Sequence, residues 1–307
     1  SRSRIREMIG IAERIDHIKC ATVIEAQIRE LRLISEKQPR YNRRSRFQEQ
    51  AIWVKLTNET FPRLVSTRGL PDVSNQKITF GPFNSKESAQ SAIEAVHEVV
   101  NLRQCNNRNF ELSKKSKSAC VLYDMKKCGG SCIGHETQSQ YEMHVNQTIE
   151  IIASDVKPLH HSLSDKMKSL AESERYEEAE SVKSRLGAFL IGSDRSQNLL
   201  NFVAIKNLMV LKKVENSLEV IHIRHGRLVG SAVANQMTIP DVVNSLNQSS
   251  EVISLDQKLL PAATYEESEK LLSYLFNGEF EILEIDGDWK LPVNGSGAIR
   301  YRFPAFN

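Results

Sequence analysis

Apolar residues recur every three or four positions over residues 3–15 and 22–37, which predicts two helices with a short apolar turn around Ile18 and Cys20 between them. Two shorter runs, AIWVKL (51–56) and RLVST (63–67), read as strands joined by the polar turn TNETFP. KITFGPF predicts a third strand ending at Gly81-Pro82, and Ser85 is placed to cap a helix running to about Leu102. Residues 105–135 break the periodicity. From Tyr141 to about Leu190 the pattern is helical throughout; Leu163, Met167 and Leu170 share one face, and Tyr176, Ala179, Val182 and Leu186 share the next. The polar SERY joint between these faces predicts an antiparallel hairpin. The remaining residues alternate strands (LEVIHIRHGRLVGSAV) with two amphipathic helices, IPDVVNSLNQ and YEESEKLLSYLF, predicting a small α/β unit at the end of an α+β chain.

Composition narrows the functional classes. The 307 residues suffice for two or three domains, and a charged fraction of 26% is that of an ordinary globular protein. No apolar run reaches bilayer length and no leader pattern is visible, so a cytoplasmic protein without membrane contact is expected. The net charge of +3 is unevenly spread: residues 1–47 hold 12 Lys/Arg against 6 Asp/Glu, and residues 251–290 hold 3 against 10. A basic start suggests a polyanionic partner there, the alternative being two solvated faces. The chain opens on SRSRIREM, inside a basic helical pattern, so further residues are expected upstream.

Placed on a wheel at about 100° per residue, residues 23–37 set Glu30 between Ala26 and Val23, inside an arc of Ile24, Ile28, Leu31, Leu33 and Ile34. A carboxylate among apolar side chains must be ion-paired, protonated or bound to a cation. Either a structural salt bridge or a Mg²⁺ site meets that demand. Pro39 stops the helix, and Gln38 before it is expected to be extended. RYNRRSRF then sets Arg40, Arg43, Arg44 and Arg46 around Tyr41 and Phe47 without an acid. Arginine forks fit phosphates and aromatic rings stack on bases, so the segment is a candidate DNA contact, although RNA is not separable by charge alone.

Cys105, Cys120, Cys128 and Cys132 lie within 28 residues, with Gly129 and Gly130 in the last loop, while Cys20 stands apart. In a reducing compartment such a set reads as a metal site, and four thiolates suit Zn²⁺ or a [4Fe–4S] cluster; four unligated thiols are the bland alternative.

Taken together, EAQIRELRLISEKQPRYN, FPRLVSTRG, ITFGPFNSKESA, LRQC and SACVLYDMKKCGGSC resemble, in order, the UvrC/Cho-like GIY-YIG excinuclease family. IAERIDHIKCAT with RYNRRSRF resembles its actinobacterial branch, in which a DEDD 3′-5′ exonuclease is fused to a UvrC-like region. The resemblance implies the C-terminal part of a GIY-YIG nuclease domain over 1–47 and a β-hairpin/helix segment over 48–104. A four-Cys segment over 105–135, a helical region with a UVR-like hairpin over 136–192 and a UvrC-homology α/β domain over 193–307 complete it. It implies Glu30 as a Mg²⁺ (or Mn²⁺) ligand, Asn42 as an active-site residue, and an iron–sulfur cluster on the four cysteines. It also implies a UvrB-like partner for the hairpin at 162–190. The GIY and YIG strands would lie upstream of Arg2, so this chain alone would hold half an active site.

The family's ribonuclease-H-like aspartate cluster is not evident; Asp256, Asp286 and Asp288 lie in acidic, surface-like sequence, and His160, His161, His222 and His225 read as surface or strand residues. The expected function is a metal-dependent DNA repair nuclease. The alternative is a non-catalytic DNA-binding and docking module of a repair complex.

Overall fold

The computed structural model describes residues 2–42, 50–70, 78–215, 217–248, 253–256 and 258–302. It is a mixed α+β chain with two antiparallel sheets, dividing into two compact units. The first comprises Ser1–Glu49, Leu199–Asp256 and Leu260–Trp289; the second comprises Gln50–Asn198, Gln257–Leu259 and Lys290–Asn307.

In the first unit, helix α1 (Arg2–Gly10) stops five residues short of the predicted end. Ile9, Ile11 and Ile15 are exposed, so no tertiary packing extends the helix past Gly10. Helix α2 (Val23–Lys37) is capped by Thr22, whose side chain accepts from the Glu25 N–H. It buries Ile24, Ile28, Leu31 and Ile34. At its end Gln38 is left-handed, with φ 46° and ψ 50°, rather than extended as the following proline suggested. The reason is hydrogen bonding: the Gln38 N–H donates to the Ile34 carbonyl and its side-chain amide to the Ser35 carbonyl, which satisfies two orphan groups of the last turn.

Along the second unit run β1 (Ile52–Leu56), β2 (Leu64–Arg68) and β3 (Thr79–Phe83), a sheet of order β2-β1-β3. The predicted hairpin pairs Ile52 with Arg68 through Leu56 with Leu64. Strand β3 runs through Gly81-Pro82 instead of ending there, because Ile52 pairs with Phe83 across a register shift in β1. Helix α3 (Lys86–His97), capped by Ser85, ends five residues before the predicted Leu102.

Helices α4 (Asn107–Ser116) and α5 (Val121–Asp124) occupy the segment that showed no periodicity. Then come α6 (Gln138–Ala153), with a Thr137/Gln140 capping box, α7 (Lys157–Glu172) and α8 (Tyr176–Ala204), whose last six residues belong to the first unit. Helices α7 and α8 are separated by Ser173–Arg175, where the SERY joint was read. Leu163, Leu170, Val182 and Leu186 join Phe80, Phe83, Ile93 and Leu102 in one core. His160 is buried on α7, not at the surface.

Strands β4 (Asn207–Val214), β5 (Ser217–Arg224), β6 (Arg227–Ala234) and β7 (Phe280–Asp286) form the other sheet, of order β6-β5-β4-β7. Every pairing in it is antiparallel, so the expected α/β unit is an α+β one. The connections explain this: β5 turns into β6 through His225 and Gly226, both with positive φ, a two-residue hairpin that cannot join parallel strands. Gly226 is required twice over, since a Cβ there would meet the Ser268 Oγ and Val203 Cγ1 at 2.7 Å.

Helix α9 (Ile239–Gln248) covers the side carrying Met209 and Val220, and α10 (Tyr265–Phe276) packs with α2 against β6. A final helix, α11 (Ser296–Arg302), returns to the second unit.

Candidate functional site

The four cysteines of residues 105–132 line a single cavity of ≈ 220 Å³, together with Arg103, Asn109, Phe110, Ser113 and Ser131. Local structure explains the convergence. Cys105 precedes α4, Cys120 occupies the position before α5, and Cys132 lies in a 3-10 turn at Ser131–Ile133. The two glycines between Cys128 and Ser131 let neighbouring side chains approach the backbone closely, and Gly130 also needs its positive φ. A Cβ on Gly129 would stand 2.5 Å from a Glu136 carboxylate oxygen, and Gly130, at φ 75°, would press one into the Tyr123 ring at 2.8 Å.

Each thiol is partly buried and none is in a disulfide. Burial pushes the Cys128 thiol up, with its neighbours Cys120, Cys132 and Cys105 adding to the rise. Cys132 rises first by burial and then through Cys105 and Cys120. Among the described residues no set of three His, Cys, Asp or Glu side chains stands ready to hold a metal ion.

Around the thiols lies polar scaffolding that the sequence did not single out. The Arg103 guanidinium is buried; it donates to the Phe61 carbonyl at 2.5 Å, to the Cys105 carbonyl at 3.0 Å and to Asn107, and it pairs with Glu59. Buried Glu136 accepts from the Ser131 hydroxyl at 2.7 Å and contacts His144 Nε2 at 2.9 Å. Arg103 stands two residues before Cys105 and Glu136 four after Cys132; adjacency to the cysteines is the signal that could have flagged them.

The other candidate site belongs to the first unit. Glu30 is exposed, not set among apolar side chains, and so are Ala26 and Val23, the latter 63% exposed. The wheel grouped these three with the core because it could not see that α2 packs along a narrower face, the one carrying Ile24, Ile28, Leu31 and Ile34. The desolvation argument for a bound cation therefore falls. Asn42 is exposed as well, with its N–H on the Pro39 carbonyl. Arg40 lies 3.5 Å from Glu7 and its guanidinium 5.7 Å from the centre of the Tyr41 ring. Arg43, Arg44 and Arg46 lie outside the described residues.

Two polar networks hold α2 in place. Arg32 donates to both Glu267 carboxylate oxygens, at 3.0 and 2.6 Å, and to the Leu228 carbonyl, while the Leu228 N–H donates to Glu267. Glu25 accepts from the Ala21 N–H and the Ser231 hydroxyl, and Thr22 shares a 2.8 Å hydrogen bond with Ser231.

A sequence comparison places the cysteine cavity. Residues 51–151 match the UvrC/Cho excinuclease middle domain. That region contains β1–β3, α3, α4, all four cavity cysteines and most of α6, whereas Glu30 and Asn42 lie outside it.

The chain is also similar to a protein of Mycobacterium tuberculosis named as a candidate bifunctional exonuclease/endonuclease, with 28% identity over 94% of this chain and 44% of the relative. It is 28% identical to the UvrABC system protein C of Flavobacterium psychrophilum, over 91% of this chain and 45% of that protein. With the same protein of Psychrobacter arcticus it shares 31% identity over 57% of this chain and 28% of the relative. Both kinds of relative named by the resemblance are thus found. The chain spans about half the length of the first two. No solved structure matches. Among the described residues no helix is long and apolar enough to cross a membrane.

Proposed function

We propose that this chain is part of a UvrC-like DNA repair nuclease, with an iron–sulfur cluster on Cys105, Cys120, Cys128 and Cys132. The observation that carries the reading is the UvrC/Cho middle-domain match over a region that folds those four cysteines around one cavity. The donor set fits the cluster: four thiols of adjacent elements, with no carboxylate or imidazole among the lining residues. Its part is structural. Arg103 donates to the Cys105 carbonyl and Glu136 accepts from Ser131 beside Cys132, contacts that would steady the loops around a bound cluster. The cluster would tie the loops together and supply no bond-breaking chemistry.

In the nuclease reading, which also takes in the DEDD exonuclease fusion, Glu30 binds Mg²⁺ or Mn²⁺, Asn42 supports the scissile phosphate, and Arg40, Tyr41, Arg43, Arg44 and Arg46 hold the DNA backbone. The α7–α8 region (162–190) docks a UvrB-like partner. The exposure of Glu30 favours a second reading, a non-catalytic DNA-holding and docking module, because an exposed carboxylate needs no cation.

The whole protein, prepared anaerobically and given Mg²⁺ and a 5′-labelled nicked or bubbled duplex, separates the two. Loss of incision in Glu30→Gln places the chemistry on α2. Incision unchanged in that variant, or trimming from 3′ ends alone, assigns chemistry elsewhere and leaves this chain as the docking module. In parallel, Cys128→Ser is expected to abolish iron and sulfide binding and the broad visible absorption; stoichiometric zinc in the parent protein would overturn the cluster.

A further inference from the structure

Resting on the reading of this chain as DNA-handling, we infer that the outer surface of the cysteine segment is itself a DNA-backbone contact, separate from the arginines that follow α2. Residues 105–128 hold six Lys/Arg and two Asp/Glu, a balance of +4, which leaves the rest of a +3 chain at −1. The cations are Arg108, Lys114, Lys115, Lys117, Lys126 and Lys127, and all six are exposed. Among the described residues none of them makes an ion pair.

The helix geometry separates their side of the segment from the cavity. On α4, Asn109, Phe110 and Ser113 line the cavity within one arc. Arg108, Leu112 and Lys115, at i, i+4 and i+7, fall on the opposite arc and face water. Lys126 and Lys127 directly precede Cys128, so the backbone that supplies thiols inward presents cations outward. Glu111 and Asp124 are the two acids of the segment, both exposed.

A phosphodiester backbone is the polyanion this surface fits. Arg108 and Lys115 are two turns apart, about 10.5 Å along the axis, or roughly three phosphate steps of one strand. Five of the six cations are lysines, point charges suited to phosphates and carrying no base readout, and exposed Ser116 and Ser118 add hydroxyl donors between them. The contact is therefore independent of sequence and salt-sensitive. Any group that orders the four thiols also orders this surface, since both ride on the same short elements.

The test is fluorescence anisotropy of the anaerobically purified whole protein with a labelled duplex across a salt series. It compares the parent with Arg108→Gln/Lys114→Gln/Lys115→Gln/Lys126→Gln and with the charge-preserving Arg108→Lys/Lys114→Arg/Lys115→Arg/Lys126→Arg. Iron content and circular dichroism report that each variant is folded. The glutamine variant is expected to bind at least about tenfold more weakly near 0.1 M salt, its salt slope falling by about 0.9 for each phosphate it no longer neutralises, and the charge-preserving variant to bind like the parent.

Equal affinity and slope in the parent and the glutamine variant overturn this contact while leaving the nuclease reading standing. Equal losses in both variants make the role structural and also overturn it. Competition by polyglutamate as strong as by unlabelled duplex of equal charge overturns DNA as the ligand. A parent protein that binds no intact, nicked or bubbled duplex overturns both this inference and the function it rests on.

Discussion

At the scale of single residues, burial decides which groups answer to pH. His97, at the end of α3, is largely buried and its Nδ1 has no hydrogen-bond partner; burial holds the imidazole down at about 4. The unfolded chain takes up that proton near 6.5, well before the folded one does. Stability that His97 contributes is therefore complete above about pH 6.5 and is lost as pH falls toward 4, by about 2 kcal/mol at pH 5. Urea midpoints at pH 7.5 and pH 5 are expected to converge when His97 is replaced by leucine. A gap of unchanged size in that variant would assign the acid sensitivity to other groups. Glu30 shows the opposite case: its residue type was legible in the sequence and its environment was not, because one helical arc can be half covered by neighbours and half wet.

At the scale of elements, the periodicities located α2, α3, the β1–β2 hairpin, α9 and α10 to within a few residues, since each carries a cap, a turn or an amphipathic stripe of its own. Strand β7 escaped because the apolar pair Ile282–Leu283 breaks the alternation of FEILEID, which lies at a sheet edge and reads as acidic surface. Helix α4 escaped because it contributes no fully buried residue, so no apolar stripe marks it. The clamp between α2 and α10 was invisible for another reason: Arg32 and Glu267 are 235 positions apart.

That clamp is asymmetric, with the Glu267 side chain 3% exposed and that of Arg32 34%. Removing the arginine strands a buried carboxylate, whereas removing the carboxylate lets the guanidinium turn to water. Arg32→Met is thus expected to cost about 3 kcal/mol or more in urea unfolding, and Glu267→Gln clearly less. The reverse order would mean that α2 is held by its apolar face alone. The cysteine spacing, by contrast, announced a shared site, and the four side chains do line one cavity; Arg103 and Glu136 sit beside those cysteines in sequence, but their partners Phe61, Glu59 and His144 are supplied by other segments.

At the scale of the whole molecule, the order of elements along the chain is not the order of packing. The first forty-nine residues share a unit with residues 199–256 and 260–289, and Gln50 to Asn198, which lie between those segments in sequence, belong to the other unit. During synthesis α2 therefore emerges long before β6 and α10, which must cover it. About 190 residues separate Lys37 from the start of β6 at Arg227. At roughly 5–20 residues per second the ribosome needs on the order of 10–40 s to deliver them. For that interval Ile24, Ile28, Leu31 and Ile34 have no β6 or α10 to bury them, while the second unit already has nearly all of its own strands and helices. The apolar face of α2 is thus made early and finds its β6 and α10 partners only when the last third of these residues has been synthesised.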